Sequence, residues 1–114
     1  MGPTSSYNEA LRIDASYVDA YGRRAWLRAT CPDSRFRDGQ LALEDATTTY
    51  ELTQRKEGLS HLAAAHAELE NFEQAVDWLT RAIKLDPERS KEVRQLRLKH
   101  YRAGQPWREE RVSP

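Results

Sequence analysis

One cysteine, Cys31, is present among 114 residues, so no internal disulfide can form and the fold must rest on packing. A single thiol leaves the redox compartment open. No apolar run approaches the ~18–20 residues that a membrane-spanning helix requires, and the 39% hydrophobic and 32% charged residues are interspersed. Net charge is missing too: 18 Lys and Arg stand against 18 Asp and Glu, which leaves no basic field to hold a phosphate backbone by counterion release. Neither nucleic acid nor membrane insertion is therefore expected. Gly-rich phosphate loops, a Ser nucleophile elbow and Zn-spaced Cys/His sets are absent as well. What remains is the length of one domain, enough to bury roughly two-thirds of the surface exposed on unfolding.

Residues 59–87 read L-x-x-L-A-x-x-H-A-x-L-x-N-F-x-x-A-V-x-x-L-x-x-A-I-x-L-D-P, two amphipathic helices joined by a tight turn and stopped at Asp86-Pro87. Ala63, Ala75 and Ala82 fall where two helix backbones must approach closely, and Leu59, Leu62, Phe72, Leu79 and Ile83 fill the space around them. The same helix ending recurs as A-L-R-I-D at 10–14, T-Y-E-L-T at 49–53 and A-I-K-L-D at 82–86. Ile13 to Leu52 is 39 positions and Leu52 to Leu85 is 33, so the middle unit carries extra residues. The small positions Ala25 and Ala42 are 17 apart against 12 for Ala63 and Ala75, which places the excess in the turn Cys31–Gly39.

Helices are expected at 7–13, 18–30, 40–53, 57–69, 73–85 and 88–103. Asp38 and Asn71 are placed to cap the third and fifth, and Asp86-Pro87 to supply a cap and a first-turn proline for the sixth. Gly104 ends that helix and Pro106 prevents its continuation. Met1–Ser6 lacks the pattern of a secretory signal and reads as a tag-like or disordered start outside the fold, and 104–114 reads as a tail.

The alternation of bulky and small positions before a terminal proline, at a period near 34 residues, closely resembles the tetratricopeptide (TPR) repeat. The likeness covers most of 7–103: half a repeat at 7–17, a repeat with an inserted turn at 18–55, a repeat at 56–87 and a capping helix at 88–103. The A-W-L-R-A-T-C-P-D-S-R-F-R-D-G segment and the closing Y-R-A-G-Q-P-W-R-E-E are similar to the C-terminal repeats of large bacterial TPR proteins of planctomycete type. His66 stands where such repeats usually carry Tyr, and Glu70 where they usually carry Gly. The resemblance implies an all-α, right-handed TPR-like superhelix of helical hairpins with a C-terminal capping helix.

Chemistry that needs an active site finds little support. His61 and His66 are five residues apart, which turns them roughly 140° from one another on a helix, so a shared metal is not expected. Cys31 ends its helix, where the dipole disfavours a thiolate. Glu44-Asp45 and Glu109-Glu110 are adjacent in sequence and read as solvated acids. Neither catalysis, cofactor nor metal is expected.

Recognition is the remaining reading. In the repeats that this chain resembles, the first helix of each hairpin lines a concave groove. By repeat position that implies Asp19, Gly22, Trp26, Thr30, Ser60, His61, Ala64 and Ala67, with Lys91 and Arg94 from the capping helix. An extended protein or peptide segment is the implied partner, and Trp26 either serves this groove or packs under the inserted turn against Phe36. The TPR domains that grip a terminal carboxylate carry Lys/Asn and Lys/Arg pairs where this chain has Gly22 and Trp26, His61, then Lys91 and Gln95. Only Lys91 survives, so a carboxylate clamp of that kind is not expected. Two further expectations are a purely structural terminal module without a ligand of its own, and weak homodimers through the N-terminal helix, whose Tyr7, Leu11 and Ile13 lack a full set of partners.

Overall fold

In the computed structural model, which describes residues 2–55 and 57–109, the regular structure is helical throughout. Six α-helices follow one another: α1 (Ser5–Ile13), α2 (Val18–Thr30), α3 (Gly39–Leu52), α4 (Leu59–Glu68), α5 (Phe72–Leu85) and α6 (Lys91–Arg102). Each packs on the next, and α2 also packs on α4 across the hairpins. This is the all-α, TPR-like superhelix that the repeat pattern implied.

Alanines set the spacing. Ala25, Ala42, Ala46, Ala63, Ala65, Ala67 and Ala75 have no measurable exposure, so the helices meet backbone against backbone with no side chain to hold them apart. Leu59, Leu79, Leu98 and Tyr101 fill the wider spaces between α4, α5 and α6, with Phe72, Val76, Trp78 and Ile83 packed around them. Burying each such side chain contributes about 1.5–3 kcal/mol.

The helix ends show where local signals held and where they did not. Asp38 caps α3, its carboxylate accepting the Leu41 amide at 3.0 Å. Asn71 stands at the cap of α5 but makes no side-chain bond there. α6 ends in a Schellman turn, Gly104 N–H to the Tyr101 carbonyl and Gln105 N–H to that of His100, with Gly104 at φ +72°. The same motif closes α4, with Glu70 in the glycine-favouring conformation at φ +64°. The expected glycine is replaced, but the left-handed turn it would serve is kept.

Several boundaries differ from expectation. α1 starts at Ser5, two residues inside the segment set aside as tag-like, and Gly2 approaches the Phe36 ring. α4 starts at Leu59 because Gly58 is at φ +86°, with the Ala46 carbonyl 3.1 Å from where a Cβ would stand. α6 starts at Lys91, not 88: residues 87–90 form turns, and Asp86 offers its carbonyl, not its side chain, to Arg94. The inserted turn holds a short 3-10 helix, Ser34–Phe36, tied down by Arg37 N–H bonds to the Cys31 and Pro32 carbonyls.

One acid expected in solvent lies inside. The Asp45 side chain is 6% exposed and accepts a bidentate pair from Arg24, at 2.7 and 2.8 Å, and a third bond from Arg28 at 2.9 Å. Its position on the face of α3 turned to α2, and not its neighbour Glu44, decides its burial. Arg24 also reaches Asn8 Oδ1 at 2.9 Å, which ties α1 to the stack. Of the other acidic pair, Glu109 is half-buried and Glu110 lies outside the described residues.

Candidate peptide-binding groove

The inner faces of α2, α4 and α6, with the turns that lead into the latter two, enclose a groove of about 700 Å³. Small residues make the space. Gly22 on α2 and Ser60 on α4 leave room where larger side chains would fill it, and Gly58 lets the chain enter α4 without a Cβ. One wall is Asp19, Arg23 and Trp26 from α2; the opposite wall is Arg89, Arg94 and Arg97 from the approach to α6 and α6 itself.

Of the implied residues, the structure brings Asp19, Gly22, Trp26, Ser60, His61 and Arg94 together on this groove. Ala64 and Ala67 face the core, the first within the alanine cluster of Ala29, Ala42 and Ala65 and the second among Leu59, Ala63 and Tyr101. Thr30 is fully buried, with its hydroxyl turned back to the Trp26 carbonyl at 2.7 Å. Lys91 lies on the outer surface beside Glu88 and Glu92, away from the groove. These four residues depart from the implied set: Thr30, Ala64 and Ala67 are buried against neighbouring helices, and Lys91 is turned outward.

Trp26 is held from several sides. Its ring packs on the alanine cluster, meets the His61 ring edge-on at 5.7 Å, and lies under the Arg97 guanidinium at 4.6 Å. Phe36 instead faces the Arg35 guanidinium at 5.3 Å and approaches Gly2. Trp26 is therefore core on one side and groove wall on the other.

The charges on the walls are not equivalent. Asp19 and Arg23 form an exposed i,i+4 pair at 2.8 Å, a contact that solvent screens. Arg94 is buried and gives its guanidinium to the Asp86 and Arg89 carbonyls, so it closes the turn before α6. Arg97 forms no ion pair among the described residues and lies between two tryptophans, 4.6 Å from the Trp26 centroid and 5.3 Å from that of Trp107. Burial pulls its guanidinium below the ordinary range. Burial, with repulsion from Arg97 and Arg89, pushes His61 down to about 4, so its imidazole is neutral at pH 7. Its Nδ1 is buried and has no hydrogen-bond partner among the described residues.

Glu109 lines one end of the groove; it belongs to residues 105–109, which leave α6 and return to α2 without regular structure. The Glu109 amide donates to the Thr30 carbonyl at 3.0 Å, one of the orphan acceptors at the end of α2. Trp26 Nε1 donates to Glu109 Oε1 at 2.5 Å. Arg108 pairs with Glu68 at 2.7 Å, and Trp107 meets His100 edge-on at 5.2 Å. Sequence reasoning missed Arg97, Trp107 and Glu109. Arg97 follows Arg94 by three positions and was accessible by helical arithmetic. Trp107 and Glu109 lie past Gly104, where no periodicity points.

Among the described residues, no group of three or more His, Cys, Asp or Glu side chains is gathered as a metal would require, and no helix is long and apolar enough to cross a membrane. Residues 56–89 match the tetratricopeptide repeat family model, a span that holds the α4–α5 hairpin. No curated protein and no solved structure matches the chain. A repeat of this kind suggests a protein-interaction scaffold.

Proposed function

We propose that this chain binds an extended protein segment in the groove between α2, α4 and α6, and that it carries out no reaction of its own. The observation that supports this reading is a concave wall of mixed chemistry: an aromatic face at Trp26, guanidinium groups on α6 and a hydroxyl at Ser60, around a space left by glycine. Aromatic surface supplies contact area at little entropic cost, and polar groups at its rim set the register of a bound chain. Asp19, Trp26, Ser60, His61 and Arg94 are the groove residues in this proposal, while Thr30, Ala64 and Lys91 are left out of it. The ligand is not anchored by its terminal carboxylate, since the paired donors of such a clamp are missing at Gly22, Trp26 and His61. An array of immobilised peptides probed with the full chain tests this. Any binding peptide is expected to lose affinity to Ser60→Trp, which fills the groove, and to keep it when its C-terminus is amidated. Binding that survives Ser60→Trp, with the helical circular dichroism signal intact, overturns the reading.

Two other readings have an observation each. Arg94 spends its guanidinium on backbone carbonyls, which suits a structural module that closes the stack of a larger bacterial, planctomycete-type repeat protein and takes no ligand. α1 buries none of its residues fully and leaves Ile13 75% exposed, which suits weak pairing of two copies through that helix. Sedimentation over a wide concentration range, beside Leu11→Glu, separates the last from a monomer.

A further inference from the structure

One residue from the stretch after α6, Glu109, lines the end of the groove, and its contacts show what chemistry that end accepts. Residues 105–109 run without regular structure, exchange a main-chain hydrogen bond with Thr30, place the Trp107 ring against Arg97 and His100, and point the Glu109 carboxylate at the Trp26 indole N–H. A peptide bound from outside would make contacts of these kinds. We propose that the end of the groove formed by Trp26, His61 and Arg97 is a carboxylate subsite, one that reads an acidic side chain of an extended partner peptide and that Glu109 occupies in its absence. This rests on the peptide-groove reading and adds the class of ligand.

Three observations converge on it. The Arg97 guanidinium packs on Trp26 and Trp107, forms no ion pair among the described residues and feels the Glu109 charge across the site, so a positive charge faces this end of the groove. The Trp26 indole can only donate, and at this edge of the groove it donates to a carboxylate. The His61 Nδ1 is buried beside Trp26 and has no hydrogen-bond partner among the described residues. Charge-assisted hydrogen bonds to a carboxylate are roughly twice as strong as neutral ones, which makes an amide a poor substitute at this point.

The tail also sets a threshold. Glu109 is tethered to α6 by the short segment after Gly104, and a tether of that length gives an effective concentration on the order of millimolar. An external ligand must outcompete it, so a peptide with a single matching acid binds weakly while the tail is seated. A longer acidic segment that also follows the groove past Ser60 displaces it.

The test uses the full chain and a fluorescein-labelled, amidated peptide that reproduces residues 104–109, beside the same peptide with Gln in place of its Glu. Anisotropy is measured on the parent, on Glu109→Gln and on Trp107→Ala. The acidic peptide is expected to bind Glu109→Gln about tenfold or more tightly than the parent, and to bind it about tenfold or more tightly than the Gln peptide does. Arg97→Gln added to Glu109→Gln is expected to abolish the preference between the two peptides. Trp107→Ala opens the same site if its fold survives; Glu109→Gln alone decides the matter if it does not. Equal binding of the two peptides to Glu109→Gln, with Ser60→Trp still abolishing both, overturns the carboxylate subsite and leaves the groove a peptide site. Binding of both that ignores Ser60→Trp overturns the groove reading itself, and absence of binding to either variant overturns the subsite.

Discussion

Replacing Asp45 by Ala tests whether the ion pairs between α2 and α3 hold the first hairpin together. The carboxylate is 6% exposed and accepts three guanidinium hydrogen bonds between 2.7 and 2.9 Å, and the Arg24 and Arg28 side chains are each 17% exposed. Removing one member of a fully buried pair costs about 3–5 kcal/mol, because the surviving charge is left unpaired in a poor solvent. Exposed pairs contribute only about 0–1 kcal/mol. Here two arginines are stranded, but each retains some access to water, so the loss is expected at about 2–4 kcal/mol. That is a large share of a domain stability of roughly 5–15 kcal/mol.

Urea unfolding followed by circular dichroism at pH 7 measures the loss, provided that the denaturant slope is unchanged. Asp45→Asn keeps the volume and one acceptor and is expected to recover part of it. Moderate salt is expected to change the difference little, since buried pairs are screened far less than exposed ones. A loss under about 1 kcal/mol for Asp45→Ala would place these arginines in the surface class and refute the argument.

Two further outcomes follow from the same geometry. His61 is held neutral, with its pKa depressed from the ordinary 6.5 to about 4; the unfolded chain therefore takes up a proton first as pH falls, and stability drops through the window from 6.5 to about 4. At pH 5 the loss relative to pH 7.5 is about 1–2 kcal/mol, and His61→Gln is expected to flatten the profile above pH 5; an unchanged profile in that variant refutes it. Glu70 holds φ +64° at the end of α4, a conformation that costs a non-glycine residue about 1–2 kcal/mol, so Glu70→Gly is expected to raise stability by about 0.5–1 kcal/mol after the entropy of the more flexible unfolded chain is subtracted. A lower urea midpoint for that variant would show that the turn is held by the Glu side chain.

The helical hairpins were legible because their signal is local. A bulky-small alternation at helical period marks which face of α4 meets α5, and Ala63 and Ala75 could be named as contact positions with no knowledge of the rest of the chain. Asp38 could be named as a cap for the same reason: its partner, Leu41, is three residues away. Where a start depended on something distant, local reading failed. α6 begins at Lys91 and not beside Pro87 because the carbonyls of Asp86 and Arg89 are claimed by Arg94, a residue inside the helix they precede. Asp45 and Glu44 look alike in sequence, and only the packing of α2 on α3 separates a buried carboxylate from a solvated one.

The groove divides in the same way. Trp26, Ser60 and His61 lie on the faces of α2 and α4 that repeat position implies, although the sequence left Trp26 open between the groove and a contact with Phe36. Thr30, Ala64 and Lys91 were placed with them because a repeat position gives a helix face to within a residue or so, and a rotation of that size decides whether a side chain lines a wall, enters the core or turns outward. Glu109 meets Trp26 across 83 residues of chain. No periodicity or cap signal spans that distance. The sequence by itself determined the helices and their pairing in hairpins; the side of Trp26 that faces the groove and the place of Glu109 at its end were decided only by tertiary structure, because both depend on contacts between segments far apart in the chain, which no single segment encodes.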